Sequence, residues 1–278
     1  MLKLNYDKMI NPKYESIINR SQIDLDNNCP FPNGAIVSLA KIFKGEPNGE
    51  RLSTSSRLVF EIDDLISQTR WHIGQAILIS KIYNLTKETS EDDKQFKSIP
   101  YHLLLGLREY YSDPEKMICI DYSERRPGGF TFANWIYHLM IDNSIMRSIS
   151  VLDRIGYLLC LAADIKYEKY YFRSHKLVKV HQKLKLPETQ ILFEMTKRKI
   201  YDFILKYRDN LSHSKKEWIE LSAMNPVESY RESNGQIVIK EKHLWSESDL
   251  FALANGTYHF LVEALNHCSS VCEKVYNV

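Results

Sequence analysis

Between Phe132 and Ile165, apolar side chains return every three or four residues without a single proline. Phe132, Trp135, Ile136, Leu139, Met140, Ile145, Ile149, Leu152, Ile155, Leu159, Ala162 and Ile165 hold one face through about ten helical turns. A stripe of that length is too long for a strand and calls for a partner surface along its whole extent. The remainder of the chain is built in the same way. Ten Gly and nine Pro among 278 residues make about 7%, where soluble chains average roughly 12%. Those two residues supply the corners and stops of turn-rich folds, so a β-sandwich, a propeller or a many-stranded α/β enzyme is excluded. Neither a Gly-rich dinucleotide loop nor a Walker-type phosphate loop occurs.

The breakers gather in two places. Asn11-Pro12, Cys29-Pro30-Phe31-Pro32-Asn33-Gly34 and Pro47-Asn48-Gly49 make the first fifty residues read as irregular, with one short helix from Ala35 to Phe43. Arg125-Arg126-Pro127-Gly128-Gly129 divides the chain into a region 1–125 and a region 126–278. In the first region a long helix begins at Ser53, with Leu58, Ile62, Leu65, Ile66, Ile73, Ile77, Leu78 and Ile82 on its apolar face. A charged loop, Thr86 to Lys97, and a further helix, Tyr101 to Tyr110, follow. In the second region a helix opens at Pro187 and runs through Leu192, Met195, Ile200, Phe203, Ile204 and Tyr207 to Leu211. Ser233-Asn234-Gly235-Gln236 between Tyr230 and Ile237-Val238-Ile239 signals a hairpin, and a last long helix spans Asp249 to about Tyr276. The expected fold is all-α: a bundle of long antiparallel helices with a small β-hairpin insertion.

Charge and cysteine content narrow the class further. Thirty-seven Lys and Arg against 35 Asp and Glu give a net charge of +2, so nucleic-acid binding would need a local patch. Cys29, Cys119, Cys160, Cys268 and Cys272 are scattered and odd in number, which fits structural thiols in a reducing compartment. Met1 to Tyr14 lacks the apolar core of a signal peptide, and the run from Ile155 to Ala163 is too short to span a bilayer. A cytoplasmic chain without cofactor, metal or membrane partner is expected. Asp63-Asp64 with Glu61 has no Glu-x-x-His companion for a di-metal site. His102 and His138 read as core or boundary histidines among apolar neighbours, and in Arg70-Trp71-His72 the cation and imidazole fall on different sides of a helix.

Chemistry concentrates in Tyr207-Arg208-Asp209-Asn210-Leu211-Ser212-His213-Ser214. Arg208 offers a permanent planar cation for phosphate oxygens, and His213 the side-chain type suited to proton transfer near neutral pH. On an unbroken helix positions five apart are about 140° apart, so convergence asks the backbone to loosen around Asn210 to Ser214. The bland alternative is a helix end in which Arg208 favours the dipole and His213 belongs to an ordinary loop.

This stretch resembles the HEPN superfamily, whose nuclease members share a helical bundle and an Arg, four to six residues, His motif with a polar residue after the Arg. Arg208, four intervening residues and His213 match that spacing, and Asp209 fills the polar place. Lys215 departs from the subgroup that carries Tyr two residues after the His. The resemblance covers the motif and the helical layout of the C-terminal half. It implies a metal-independent endoribonuclease, a homodimer in which two motifs meet, and a toxin or antiphage effector, with an antitoxin protein as partner if a toxin. It also implies roles: His213 as general base or acid on the ribose 2′-hydroxyl, Arg208 on the scissile phosphate, Asp209 orienting both. A non-catalytic module of the same fold, binding protein, nucleotide or RNA, is the rival.

Upstream, Tyr167, Tyr170, Tyr171 and Phe172 lead into a basic segment with Arg173, His175, Lys176, Lys179, His181 and Lys183. Cations beside aromatic rings suit single-stranded RNA, whose phosphates and unstacked bases need both. A solvated helix face beside an aromatic core edge is the alternative.

Overall fold

The computed structural model describes residues 12–44, 50–88, 98–100, 119–121, 132–166, 172–213, 227–231, 237–241 and 247–276, with side chains for 16–44, 54–81, 137–166, 172–206 and 250–276. Eight helices occupy these residues: α1 (Pro12–Asn28), α2 (Asn33–Phe43), α3 (Glu50–Glu88), α4 (Phe132–Ala162), α5 (Ser174–Leu184), α6 (Pro187–Met195), α7 (Lys199–His213) and α8 (Glu247–Tyr276). Four short strands form two antiparallel ladders, β1 (Ser98–Pro100) with β2 (Cys119–Asp121) and β3 (Val227–Arg231) with β4 (Ile237–Glu241). The protein is thus predominantly helical. The helix expected over 101–110, the breaker cluster at 125–129 and the turn at 233–236 lie outside the described residues.

The chain divides into two compact units of three segments each. One comprises Met1–Asn28, His72–Ile141 and Lys216–Leu250; the other comprises Cys29–Trp71, Asp142–Lys215 and Phe251–Val278. In the first unit α1 lies against the later part of α3. Leu25 is buried close to the backbone of Gly74, where a Cβ would come within 3.0 Å of its methyl group. Lys81 and Asp24 form an ion pair between the same two helices. Helix α1 corrects the expectation of an irregular N-terminus. Its buried stripe runs through Ser21 and Leu25 while Ile23 is exposed, so apolar periodicity concealed it. Ser21 gives its hydroxyl to the Ile17 carbonyl and is thereby tolerated inside.

The second unit is a helical bundle organised around α8. Helix α2 runs beside it in the same direction, with Ser269 bonded to Ala35, Ser38 to Glu273, and Phe43 edge-on to Tyr276. The α6–α7 stretch returns in the opposite direction: Glu188 pairs with Lys274, Arg198 grips Glu263 in a bidentate fork, and Tyr201 stacks on Phe260. Helix α3 opposes α2, placing Ser56 at the Phe43 carbonyl and Arg70 at the Cys29 carbonyl. Leu39, Ile62, Ile66, Ile145, Ile155 and Tyr258 are among the fully buried side chains of this core.

Two helix ends differ from expectation. The helix read continuously from Pro187 to Leu211 is interrupted at 196–198, without glycine or proline. Thr196 turns its hydroxyl onto the Phe193 carbonyl at 2.7 Å, and the amides of Thr196, Lys197 and Arg198 reach back three residues rather than four. Helix α4 ends at Ala162 rather than Ile165. Asp164 there takes a left-handed conformation (φ 52°), and Ile165 closes onto the Cys160 carbonyl at 2.9 Å.

Candidate nucleic-acid interface

Helix α5 is anchored at its start by Phe172. That ring is buried, edge-on to Tyr201 and Phe260; its amide donates to Asp153 at 3.2 Å and its carbonyl accepts the Tyr201 hydroxyl. Phe172 therefore presents no face to a base and belongs to the core. Tyr167, Tyr170 and Tyr171 lie outside the described residues. From this anchor, Leu177 and Val180 enter the interior, and the opposite face carries the charge.

The six basic residues of the segment fall into distinct settings. His175 and Lys179 are exposed, one helical turn apart on the outward face. Lys183 is also exposed, but its ammonium donates to the Asp164 carbonyl at 2.7 Å and lies 3.7 Å from that residue's carboxylate. Arg173 and Lys176 are half-buried at the N-terminal end of α5. His181 is half-buried near the C-terminal end, its Nδ1 2.9 Å from the Thr189 hydroxyl of α6. Lys185 follows in the left-handed region (φ 53°), where its amide closes the helix on the His181 carbonyl at 2.8 Å.

Electrostatics separates the two ends. His181 and Lys183 sit in the last turn, where positive charge suits the helix dipole. Arg173 and Lys176 sit at the opposite end, which has no acidic residue in its first turn and no side-chain cap. A cation there opposes the dipole by roughly 0.3–1 kcal/mol.

Helix α7 carries Arg208, Asp209 and His213, and its backbone stays helical through His213. The side chains of these three residues lie outside the described set. The loosening expected around Asn210 is not seen up to His213, where the helix ends, so positions 208 and 213 are about 140° apart about one axis.

A second polar cluster was missed in sequence. Arg70 donates its Nε to the Cys29 carbonyl at 2.7 Å with its guanidinium 5.6 Å above the Phe31 ring. Tyr258 donates to the Pro30 carbonyl at 2.9 Å, and Cys29 to Asn255 at 3.4 Å. These groups fasten the 29–32 turn between α3 and α8. Burial pushes the Cys29 thiol up to about 12, against a smaller opposing pull from Arg70, so it stays an inert thiol. Burial likewise raises Cys160 to about 11, and the hydrogen bond between Cys268 and Cys272, with burial, holds the Cys268 thiol well above its ordinary value. Glu61 of the acidic group pairs with Arg154 at 3.1 Å, and Asp64 accepts from Gln68. Among the described residues no three His, Cys, Asp or Glu side chains gather as a metal site, and no helix is long and apolar enough to cross a membrane.

No protein-family model matches the chain, and neither a curated protein nor a solved structure is found to be similar to it.

Proposed function

We propose that this chain is a metal-independent endoribonuclease of HEPN type, working as a cytoplasmic homodimer, with residues 126–278 as its HEPN-like part. The observation that carries this reading is the basic helix α5, whose exposed His175 and Lys179 share the second unit with the motif-bearing α7. In this reading α5 holds the phosphates of a single strand. His213 takes the proton of a ribose 2′-hydroxyl, Arg208 stabilises the charge developing on the adjacent phosphate, and Asp209 orients both. RNA supplies its own nucleophile, so the products end in a 2′,3′-cyclic phosphate and a 5′-hydroxyl. The β3–β4 pairing is taken as a small hairpin inserted between α7 and α8. A role as toxin or antiphage effector, with an antitoxin protein as partner if a toxin, belongs to the same proposal.

The test is mixed RNA incubated with the purified protein in EDTA, beside Arg208→Ala and His213→Ala. Cleavage by the wild type that disappears in both variants is expected; cleavage surviving both removes the site. The continuity of α7 through His213 favours a second reading, a non-catalytic helical module that binds RNA, nucleotide or protein. Under that reading RNA binds through α5 and emerges intact.

A further inference from the structure

At the α5–α6 turn the hydrogen-bond geometry determines which nitrogen of His181 carries its proton. The Thr189 hydroxyl lies 2.6 Å from the Leu186 carbonyl and 2.9 Å from His181 Nδ1. A carbonyl oxygen has no hydrogen to give, so the shorter contact uses the single proton of Thr189. The hydroxyl can then only accept from His181, and Nδ1 must be the protonated nitrogen. The neutral ring therefore carries its lone pair on Nε2, for which no described residue supplies a partner. Lys185, four residues on, is an exposed cation at a left-handed position where glycine would be less strained.

We infer that His181 reads the ribose 2′-hydroxyl of a bound strand through Nε2, with Thr189 as its positioning residue and Lys185 on the neighbouring phosphate. This rests on the proposed RNA-binding role of α5 and adds discrimination between RNA and DNA. In a ribonucleotide the 2′-hydroxyl and the 3′-phosphate sit on adjacent carbons, so a neutral acceptor beside a cation matches both groups. DNA offers the phosphate and lacks the donor. A lysine or arginine in place of His181 would hold the phosphate of either polymer equally well.

The test measures binding of a single-stranded RNA and of deoxyuridine-containing DNA of the same base sequence. It uses the full chain in a His213→Ala background, at about pH 8, above the ordinary imidazole range. RNA is expected to bind about tenfold more tightly, the loss of one hydrogen bond in the DNA complex. His181→Ala and Thr189→Val should bring the ratio close to one with DNA affinity unchanged. Thr189→Ser, which keeps the hydroxyl, should preserve the ratio, and Lys185→Ala should weaken both polymers alike. Nitrogen-15 NMR of the imidazole should show the proton on Nδ1 in the wild type. A proton on Nε2, or a ratio that survives His181→Ala in a protein with unchanged circular dichroism, overturns the inference. Equal binding of RNA and DNA by the parent overturns it while leaving the RNA-binding reading intact; binding of neither removes both.

Discussion

Two places in the chain present an arginine with a histidine two residues later, and the structure uses the two arginine-bearing stretches in opposite ways. Arg70 of Arg70-Trp71-His72 is turned inward onto a backbone carbonyl and an aromatic ring, where it fixes the turn between α3 and α8. Arg173-Ser174-His175 begins a helix whose exposed residues include His175 and Lys179. The difference arises from the neighbours. In the 29–32 turn, with prolines at 30 and 32, the Phe31 and Pro32 carbonyls accept the amides of Asn33 and Ile36, while the Cys29 and Pro30 carbonyls take their donors from the side chains of Arg70 and Tyr258. Helix α5 satisfies most of its own backbone and leaves its outward cations to solvent or to a ligand. One cluster serves the fold, and the other is the place to look for a partner.

If that division holds, Arg70→Ala should have the largest effect on stability. It removes a charged hydrogen bond, leaves the Cys29 carbonyl unpaired and loses the ring contact, for roughly 3–4 kcal/mol in urea unfolding. A loss well below 1 kcal/mol would mean that the turn holds without it.

The interior of the first unit offers a second contrast, since His138 is buried where His175 is exposed. Burial pushes the His138 imidazole from its ordinary 6.5 down to about 4. Between those values the unfolded chain takes up a proton that the folded chain refuses. Stability from this group is therefore complete above about pH 6.5 and declines as the pH falls towards 4, by on the order of 3 kcal/mol in all. His138→Leu should flatten that part of the profile, as seen in unfolding curves collected from neutral to acid pH. An unchanged slope would assign the acid sensitivity elsewhere.

Lys179→Ala should have the smallest effect on folding, leaving the urea midpoint where it is. Binding of single-stranded RNA should nevertheless weaken several-fold, with a shallower dependence on salt. A shifted midpoint with unchanged RNA affinity would place Lys179 with Arg70 rather than opposite it.

Much of the fold was legible because its long helices carry uninterrupted apolar faces; α3, α4 and α8 follow directly from their spacing of isoleucines and leucines. Helix α1 was hidden because a serine occupies its buried stripe. The break before α7 was hidden because a threonine hydroxyl, with no glycine or proline, ends α6. Phe172 illustrates a different limit. A ring next to a basic run looks the same in sequence whether it stacks on a base or on Tyr201 and Phe260, and only the packing decides. The Thr189–His181 contact joins two helices across a turn, so the choice of ring nitrogen had no sequence signal at all.

The proposed site is tested most directly by the ends of the RNA fragments produced in EDTA. Fragments from the wild type should carry 2′,3′-cyclic phosphates, and His213→Ala should leave the RNA intact. Fragments of the same kind from both proteins would contradict it.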